Sequence, residues 1–462
     1  MKLGEDMNVA ATDYRLHFRE TLLPGGWARN VRLTVRDGLC HAIEVGTSAA
    51  PGDECHAVAV PGLPNLHSHA FQRGMAGLAE IRGPVDDSFW TWREVMYRFV
   101  DRIGPEELEA IAALGQIEML ESGFTRVGEF HYLHHDRDGR AFADPAQMAV
   151  ALASAATETG MGLTLLPVFY AHAGFGGMEP GAGQRRFLCD INQFARLLDA
   201  SRAAISILPD AILGVAPHSL RAVTPDELQA ITSIAGDGPV HIHIAEQVRE
   251  VDDCLAWSGA RPVEWLLDHA EVNRRWCLVH ATHMTDTEAQ RLGVSGAVAG
   301  LCPITEANLG DGIFNAVPFL AAGGAYGVGS DSNVLIDATE ELRLLEYGQR
   351  LQRRGRNLMS AAHGRSTGSD VFCASLSGGA RALGSYPGLK VGQPADFVSL
   401  DEHHPSLMGA NGDRWLDGLI FAAGRHAIDC VWRRGTKLVS QGRHRSREQI
   451  VSRYHGVLQR LA

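Results

Sequence analysis

Lysine is almost missing from this 462-residue chain: it occurs at Lys2, Lys390 and Lys437 only. Within the stretch between Lys2 and Lys390, no lysine can form a Schiff base, hold a phosphate or, once carbamylated, bridge two metal ions. Arginine therefore carries nearly all the positive charge, and the net charge is −12. That balance argues against nucleic acid as a partner, because phosphate binding needs a basic surface. Long apolar runs are missing as well. None reaches the ~18–20 residues of a membrane span, and the acidic start Met1–Asp6 has no secretory apolar core. The eight cysteines are scattered and form no Cys-x-x-Cys pair. Such usage fits reduced thiols and predicts a cytoplasmic protein without membrane contact.

What is present is ordinary for a soluble globular protein, at 45% hydrophobic and 21% charged residues. Short apolar runs recur near 57–67, 124–131, 162–169, 211–218, 239–244, 276–280, 296–302 and 325–331. Helical patterns over 105–121, 146–159, 192–204 and 225–235 separate many of them, the last opened by Thr224 as cap and Pro225 at the first helical position. Strands alternating with helices imply parallel βαβ units. Eight such runs predict an α/β fold, a (β/α)₈ barrel over 61–385, with chemistry at the C-terminal ends of its strands. The flanks 12–58, 386–402 and 426–443 instead alternate polar and apolar residues around turns, as short antiparallel strands do. They are expected to join residues 1–60 and 386–462 into one small composite β-sandwich domain; two separate small sheets fit the pattern too.

The chemistry gathers at the ends of the apolar runs. The first ends in His67-Ser-His69, and side chains two apart on a strand share a face. Two neutral imidazoles meeting there form half of a site of the kind Zn²⁺ prefers. Val240-His-Ile-His243-Ile-Ala-Glu246 offers a third nitrogen from His243 and a carboxylate, Glu246, that can lean over the metal without ligating it. His241 lies about 7 Å deeper by strand rise and reads as a core histidine. Trp276-Cys-Leu-Val-His280 adds a histidine at another strand end, and His283 is a weaker candidate beyond it. Gly327-Val-Gly-Ser-Asp331 closes the barrel beside the first strand. The ligands are thus read as His67, His69, His243 and Asp331, with water completing an open, catalytic site. The fourth strand, Ile212–His218, has neither lysine nor carboxylate to bridge a second ion, so one metal is expected. Zn²⁺ is the first choice, although such ligands also suit Fe²⁺ or Mn²⁺.

These motifs, Pro-Gly-x-x-Asn-x-His-x-His, His-x-x-Glu, Val-His and Gly-Ser-Asp in order, resemble the amidohydrolase superfamily over nearly the whole chain. His-x-x-Glu without a fourth-strand lysine resembles its mononuclear deaminase branch. Three segments narrow the likeness to the formimidoylglutamate deiminase family: His67-Ser-His-Ala-Phe-Gln72-Arg-Gly, Asp87-Ser-Phe-Trp-Thr-Trp-Arg93-Glu, and the long run from His241 to Leu266. The resemblance implies hydrolysis of a formimidoyl group on a small dicarboxylate, in histidine degradation, by a homodimer. Asp331 is then expected to take the proton from water, Glu246 to pass one to the leaving nitrogen, and His280 to stabilise developing charge. Gln72, Arg93, Tyr132, His218 and Arg221 are nominated as substrate contacts, with the two arginines suited to carboxylates. Trp90 and Trp92 are expected to pack the loop. Two rivals remain at this point: a mononuclear deaminase acting on a nucleobase or nucleoside, and a catalytically dead barrel serving as a scaffold.

Overall fold

The computed structural model describes residues 13–82 and 88–461. The acidic opening residues, Lys2 and Asp87 lie outside this range. The chain starts with β1 (Tyr14–Leu23), β2 (Gly26–Arg36), β3 (Leu39–Val45) and β4 (Glu54–Pro61). The barrel strands follow: β5 (Leu63–Ser68), β6 (Phe124–His131), β7 (Gly162–Phe169), β8 (Ile212–Leu213), β9 (Ala216–Pro217), β10 (Val240–Ile244), β11 (Trp276–His280), β12 (Val298–Leu301) and β13 (Ala325–Val328). The chain returns through β14 (Phe397–Leu400), β15 (Ile428–Arg433), β16 (Thr436–Ser440) and β17 (Arg443–His444).

Both chain ends build one sheet, in the order β17-β16-β15-β14-β4-β1-β2-β3. The antiparallel pairing of β14 with β4, Val398 opposite Val60, stitches the two halves together. The sheet curls until Leu39, on its outer strand β3, bridges Pro394 just before β14, and the enclosed core holds Phe397, 5.7 Å from the ring of Phe18 and stacked on Trp432 at 4.7 Å. The alternative of two separate sheets is thereby excluded, and a single β-sandwich results. Arg433 of β15 pairs with Asp210 and Asp396, and Asp210 also pairs with Arg126 of β6, so a buried ionic cluster joins the sandwich to the base of the barrel.

The barrel strands run parallel in two arcs, β5-β6-β7-β8 and β10-β11-β12-β13, with β9 added to β7. Parallel bridges close both seams: Ser68 to Asp331 on one side, Val215 to Val240 and Ser219 to His243 on the other. The fourth strand is thus a broken one, β8 and β9. Helices Gln147–Thr159, Ile191–Ile205, Pro225–Ile234 and Asp286–Ser295 cover the outside between strands. Thr224 caps its helix by accepting from the Glu227 backbone N–H, as the Thr-Pro signal predicts. One expectation needs correction. The apolar run 57–67 is two strands, β4 in the sandwich and β5 in the barrel, divided at Gly62, where a Cβ would fall 2.2 Å from the Thr125 methyl. The chain turns there from one core to the other, and both strands are buried, so hydropathy does not mark the break.

Candidate active site

The residues gather where β5, β10, β11 and β13 end. His67 and His69 leave β5 on the same side, and Asp331 is drawn against them because the chain after β13 pairs with β5: His69 donates its backbone N–H to Asp331 O, and Asp331 its own to His67 O, both at 2.9 Å. Gly329 allows this approach, since a Cβ there would lie 2.7 Å from the His67 backbone. Asp331 itself has φ 45°, a left-handed conformation that Asp tolerates better than most residues. A buried polar network fixes the seam. Asn65 accepts the Ser330 N–H at 3.0 Å and donates to Ser330 Oγ at 2.7 Å, and Ser330 donates to Asn333, which bonds the His69 carbonyl. Asn65→Ala strands the Ser330 N–H and removes one of the two bonds of its hydroxyl, and is expected to cost about 1–3 kcal/mol, read as a lower urea midpoint.

The donor atoms converge. His67 Nε2 lies 3.1 Å from His243 Nε2 and 3.4 Å from Asp331 Oδ1, and His69 Nε2 lies 3.3 Å from the same oxygen. Ligands held tetrahedrally about Zn²⁺ sit about 3.3 Å apart along each edge, so the spacing suits such an ion. Two facing imine nitrogens also repel unless a cation or proton lies between them. His69 and His243 offer Nδ1 to the Phe130 and His218 carbonyls at 3.0 and 3.1 Å. With protons on Nδ1, both leave an Nε2 lone pair for a metal. Burial pushes His67 down to about 3 and also lowers His69 and His243, so all three imidazoles are neutral at pH 7, the form a metal ligand needs. Burial opposes charge on Asp331 too, but the surrounding imidazoles hold it below the usual carboxylate range.

His280 behaves differently. Its Nε2 lies 3.8 Å from Glu246 and 3.8 Å from Asp331, and its Nδ1 lies 3.3 Å from Glu306. Burial disfavours its charge, yet Glu246, Glu306 and Asp331 raise it to about 10. His67, His243, His280 and Asp331 each place a donor atom within 4.8 Å of the others. His280 therefore borders the cluster, 3.8 Å from Asp331 where His67 and His69 lie 3.4 and 3.3 Å from it. Glu246 follows β10 after Ala245, at φ 51°, and burial raises it to about 7 against the pull of His280 and Arg221. His241 points away, to the Ala382 carbonyl at 2.7 Å, as a core histidine does. His283 is absent from the pocket.

Above the donors lies one pocket, whose walls include Gln72, Arg93, Tyr132, His218 and Arg221 together with His69, His243, Glu246, His280 and Asp331. All the nominated substrate contacts thus meet in one place. Gln72 sits in a short turn after His69 and donates to Tyr132 Oη at 3.1 Å, leaving its own Oε1 buried and without a partner among the described residues. The Arg93 guanidinium lies 4.5 Å over Trp90, which packs it in place. Trp92 packs against the core, as expected, and also lines the pocket alongside Phe89. Arg93 Nε and Arg221 Nε are buried without hydrogen-bond partners among the described residues. Glu306, Glu250 and Asn333 were not foreseen. They act across the fold, and only the recurrence of acids a few residues after strand ends hints at the first two.

Comparison with known proteins agrees with this geometry. Residues 58–438 match the amidohydrolase family, and residues 15–57 match the "Formimidoylglutamate deiminase HutF, N-terminal domain". A formimidoylglutamate deiminase of Pseudomonas aeruginosa is 50% identical over 95% of this chain and 98% of its own. A 5-methylthioadenosine/S-adenosylhomocysteine deaminase of Shouchella clausii is 26% identical over 88% of each. Among solved structures, an amidohydrolase from Brucella melitensis superposes with a TM-score of 0.94 at 57% identity, covering 97% of this chain and 99% of that one. An adenosine deaminase from Xanthomonas campestris with bound zinc shares the fold, at a TM-score of 0.80 and 22% identity over 97% and 98% of the two chains. The chain belongs to the amidohydrolase family, within its formimidoylglutamate deiminase group.

Proposed function

We propose that this hydrolase converts N-formimidoyl-L-glutamate and water into N-formyl-L-glutamate and ammonia, in histidine degradation. The observation that carries the reading is that two arginines, each with an Nε unpartnered among the described residues, line the same pocket as the imidazole–carboxylate cluster. A nucleobase needs no such cations, whereas a substrate with two carboxylates needs both. The relative that is half identical over its full length bears the name of that activity.

His67, His69, His243 and Asp331 are proposed to hold one Zn²⁺, since the fourth strand supplies no bridging group and a relative of the same fold is described with bound zinc. A divalent ion there supplies a Lewis acid and lowers the pKa of water towards ~7. Asp331, kept ionised by the histidines, accepts the proton lost as water adds to the formimidoyl carbon. Glu246, poised near neutrality, delivers a proton to the departing nitrogen, because ammonia rather than amide ion must leave. His280, cationic between Glu246 and Glu306, stabilises the charge that builds on the reacting centre. Gln72 Oε1 accepts a hydrogen bond from the formimidoyl end, and its amide is steadied by Tyr132. Arg93 and Arg221, with His218 between them and the histidines, hold the carboxylates.

The eight cysteines are all unpaired, in keeping with a cytoplasmic location. Among the described residues no helix is long and apolar enough to cross a membrane. A homodimer, and a division into a barrel of 61–385 and a sandwich of 1–60 with 386–462, complete the reading. The acidic net charge leaves nucleic acid outside it.

Arginine substitutions test the substrate class. Arg93→Met and Arg221→Met each remove a charge-assisted contact and are expected to lower kcat/KM for N-formimidoyl-L-glutamate roughly 10- to 100-fold, mostly through KM. Ammonia release measures it. Unchanged kinetics in both variants would refute the dicarboxylate pocket.

A further inference from the structure

The first turn of helix Val248–Ser258 carries an acid, Glu250, whose side chain is completely buried. A buried carboxylate is costly unless its charge is compensated and both oxygens are bonded. Here the compensation comes from two directions. Glu250 Oε1 accepts the Ala245 backbone N–H at 3.2 Å, and Oε2 accepts that of Glu246 at 3.1 Å. Those two residues form the turn that follows His243 and carries Glu246 over the site. Ala245 stands at φ 51°, a conformation unfavourable for alanine that needs outside support. The support is Glu250 on one side and the His283 N–H, bonded to the Ala245 carbonyl at 2.9 Å, on the other.

The same Oε2 that holds Glu246 faces Arg221 Nη2 at 4.0 Å. Arg221 is nearly buried, and Glu250 is the first of the charges that sustain its cation against burial. With Nη2 directed at Glu250, its Nε remains unpartnered among the described residues and Arg221 lines the pocket. The loop bearing it is fastened to β10, where Ser219 bridges His243 and the His218 carbonyl accepts the His243 N–H at 3.0 Å. One oxygen atom therefore accepts the N–H of Glu246 and also lies 4.0 Å from the guanidinium of Arg221, on the wall of the pocket.

We propose that Glu250 is a positioning residue that couples carboxylate recognition by Arg221 to the placement of Glu246. When a substrate carboxylate draws on Arg221, the change reaches Oε2 and, through it, the backbone of Glu246. Binding energy from the glutamate portion then serves the reaction step as well as affinity. The inference rests on the proposed deiminase reading, which supplies the carboxylate.

A double-mutant cycle between Glu250→Gln and Arg221→Met tests it by steady-state ammonia release from N-formimidoyl-L-glutamate, with melting temperature and metal content measured alongside. Glu250→Gln removes the charge and turns one acceptor into a donor facing an N–H. It is expected to lower kcat roughly 10- to 100-fold, and clearly less in the Arg221→Met background. A residue that only stabilised the fold would cost the same factor in both backgrounds, and that additivity overturns the proposal, as do wild-type kinetics. Glu250→Asp gives a second reading if the Gln variant fails to fold. The shorter acid keeps its charge near Arg221 but cannot reach both N–H groups, so kcat should fall while KM stays near the wild-type value. An Asp variant with unchanged kcat, or with KM risen as much as kcat has fallen, also overturns the coupling. Wild-type protein that releases no ammonia from this substrate refutes the deiminase reading instead, and so the two failures are distinguishable.

Discussion

Glu246→Gln is expected to lower kcat by about 10²–10⁴-fold, the usual worth of a positioned proton-transfer group, while the protein keeps its metal. Glutamine preserves the volume and keeps a carbonyl oxygen facing His280, but it cannot carry a proton. The expectation follows from two features. Glu246 stands 3.8 Å from His280 Nε2, and burial has raised it to about 7, so it can hold and release a proton at neutral pH. It is also absent from the group of buried side chains, His67, His243, His280 and Asp331, whose donor atoms lie within 4.8 Å of one another. Elemental analysis beside the kinetics separates the roles. Metal lost together with activity would make Glu246 a ligand, and activity retained would remove it from the chemistry.

Asp331→Asn should lose more, on the order of 10³-fold or beyond, because metal binding fails along with proton acceptance. Asp331 is the carboxylate common to His67, His69 and His280, among the described residues the one within 4.0 Å of three imidazoles. Asparagine accepts the left-handed backbone at this position, so the seam between β5 and β13 should survive. Thermal melting gives the readout. Added Zn²⁺ should raise the melting temperature of the wild type by binding the native state, and should leave that of the variant almost unmoved. An Asn variant that keeps both its metal-dependent shift and its turnover would remove Asp331 from the centre.

Much of this site was legible because its residues stand at strand ends, where sequence order becomes spatial order. His67, His69, His243, His280 and Asp331 each close an apolar run, and a parallel barrel brings such ends to one rim. The near absence of lysine narrows the chemistry by itself, since no lysine between Lys2 and Lys390 can bridge a second ion. Other features depend on tertiary contacts that no spacing encodes. Glu250 reads as an ordinary acid in a first helical turn and becomes informative only when its oxygens meet the Ala245 and Glu246 N–H groups. Glu306 lies in a helix well after His280 in sequence, yet faces its Nδ1. The Asn65–Ser330–Asn333 network spans the barrel seam from its first strand to the loop after its last. The division of run 57–67 was hidden because β4 and β5 are buried in different cores and look alike in hydropathy.

The most direct measurement is ammonia release by the purified, Zn²⁺-loaded chain, given N-formimidoyl-L-glutamate beside guanine, cytosine and adenosine. The account predicts ammonia and N-formyl-L-glutamate in equal amounts from the first substrate alone, with about one metal ion per chain. No ammonia from that substrate, with turnover of a purine or pyrimidine, would contradict it.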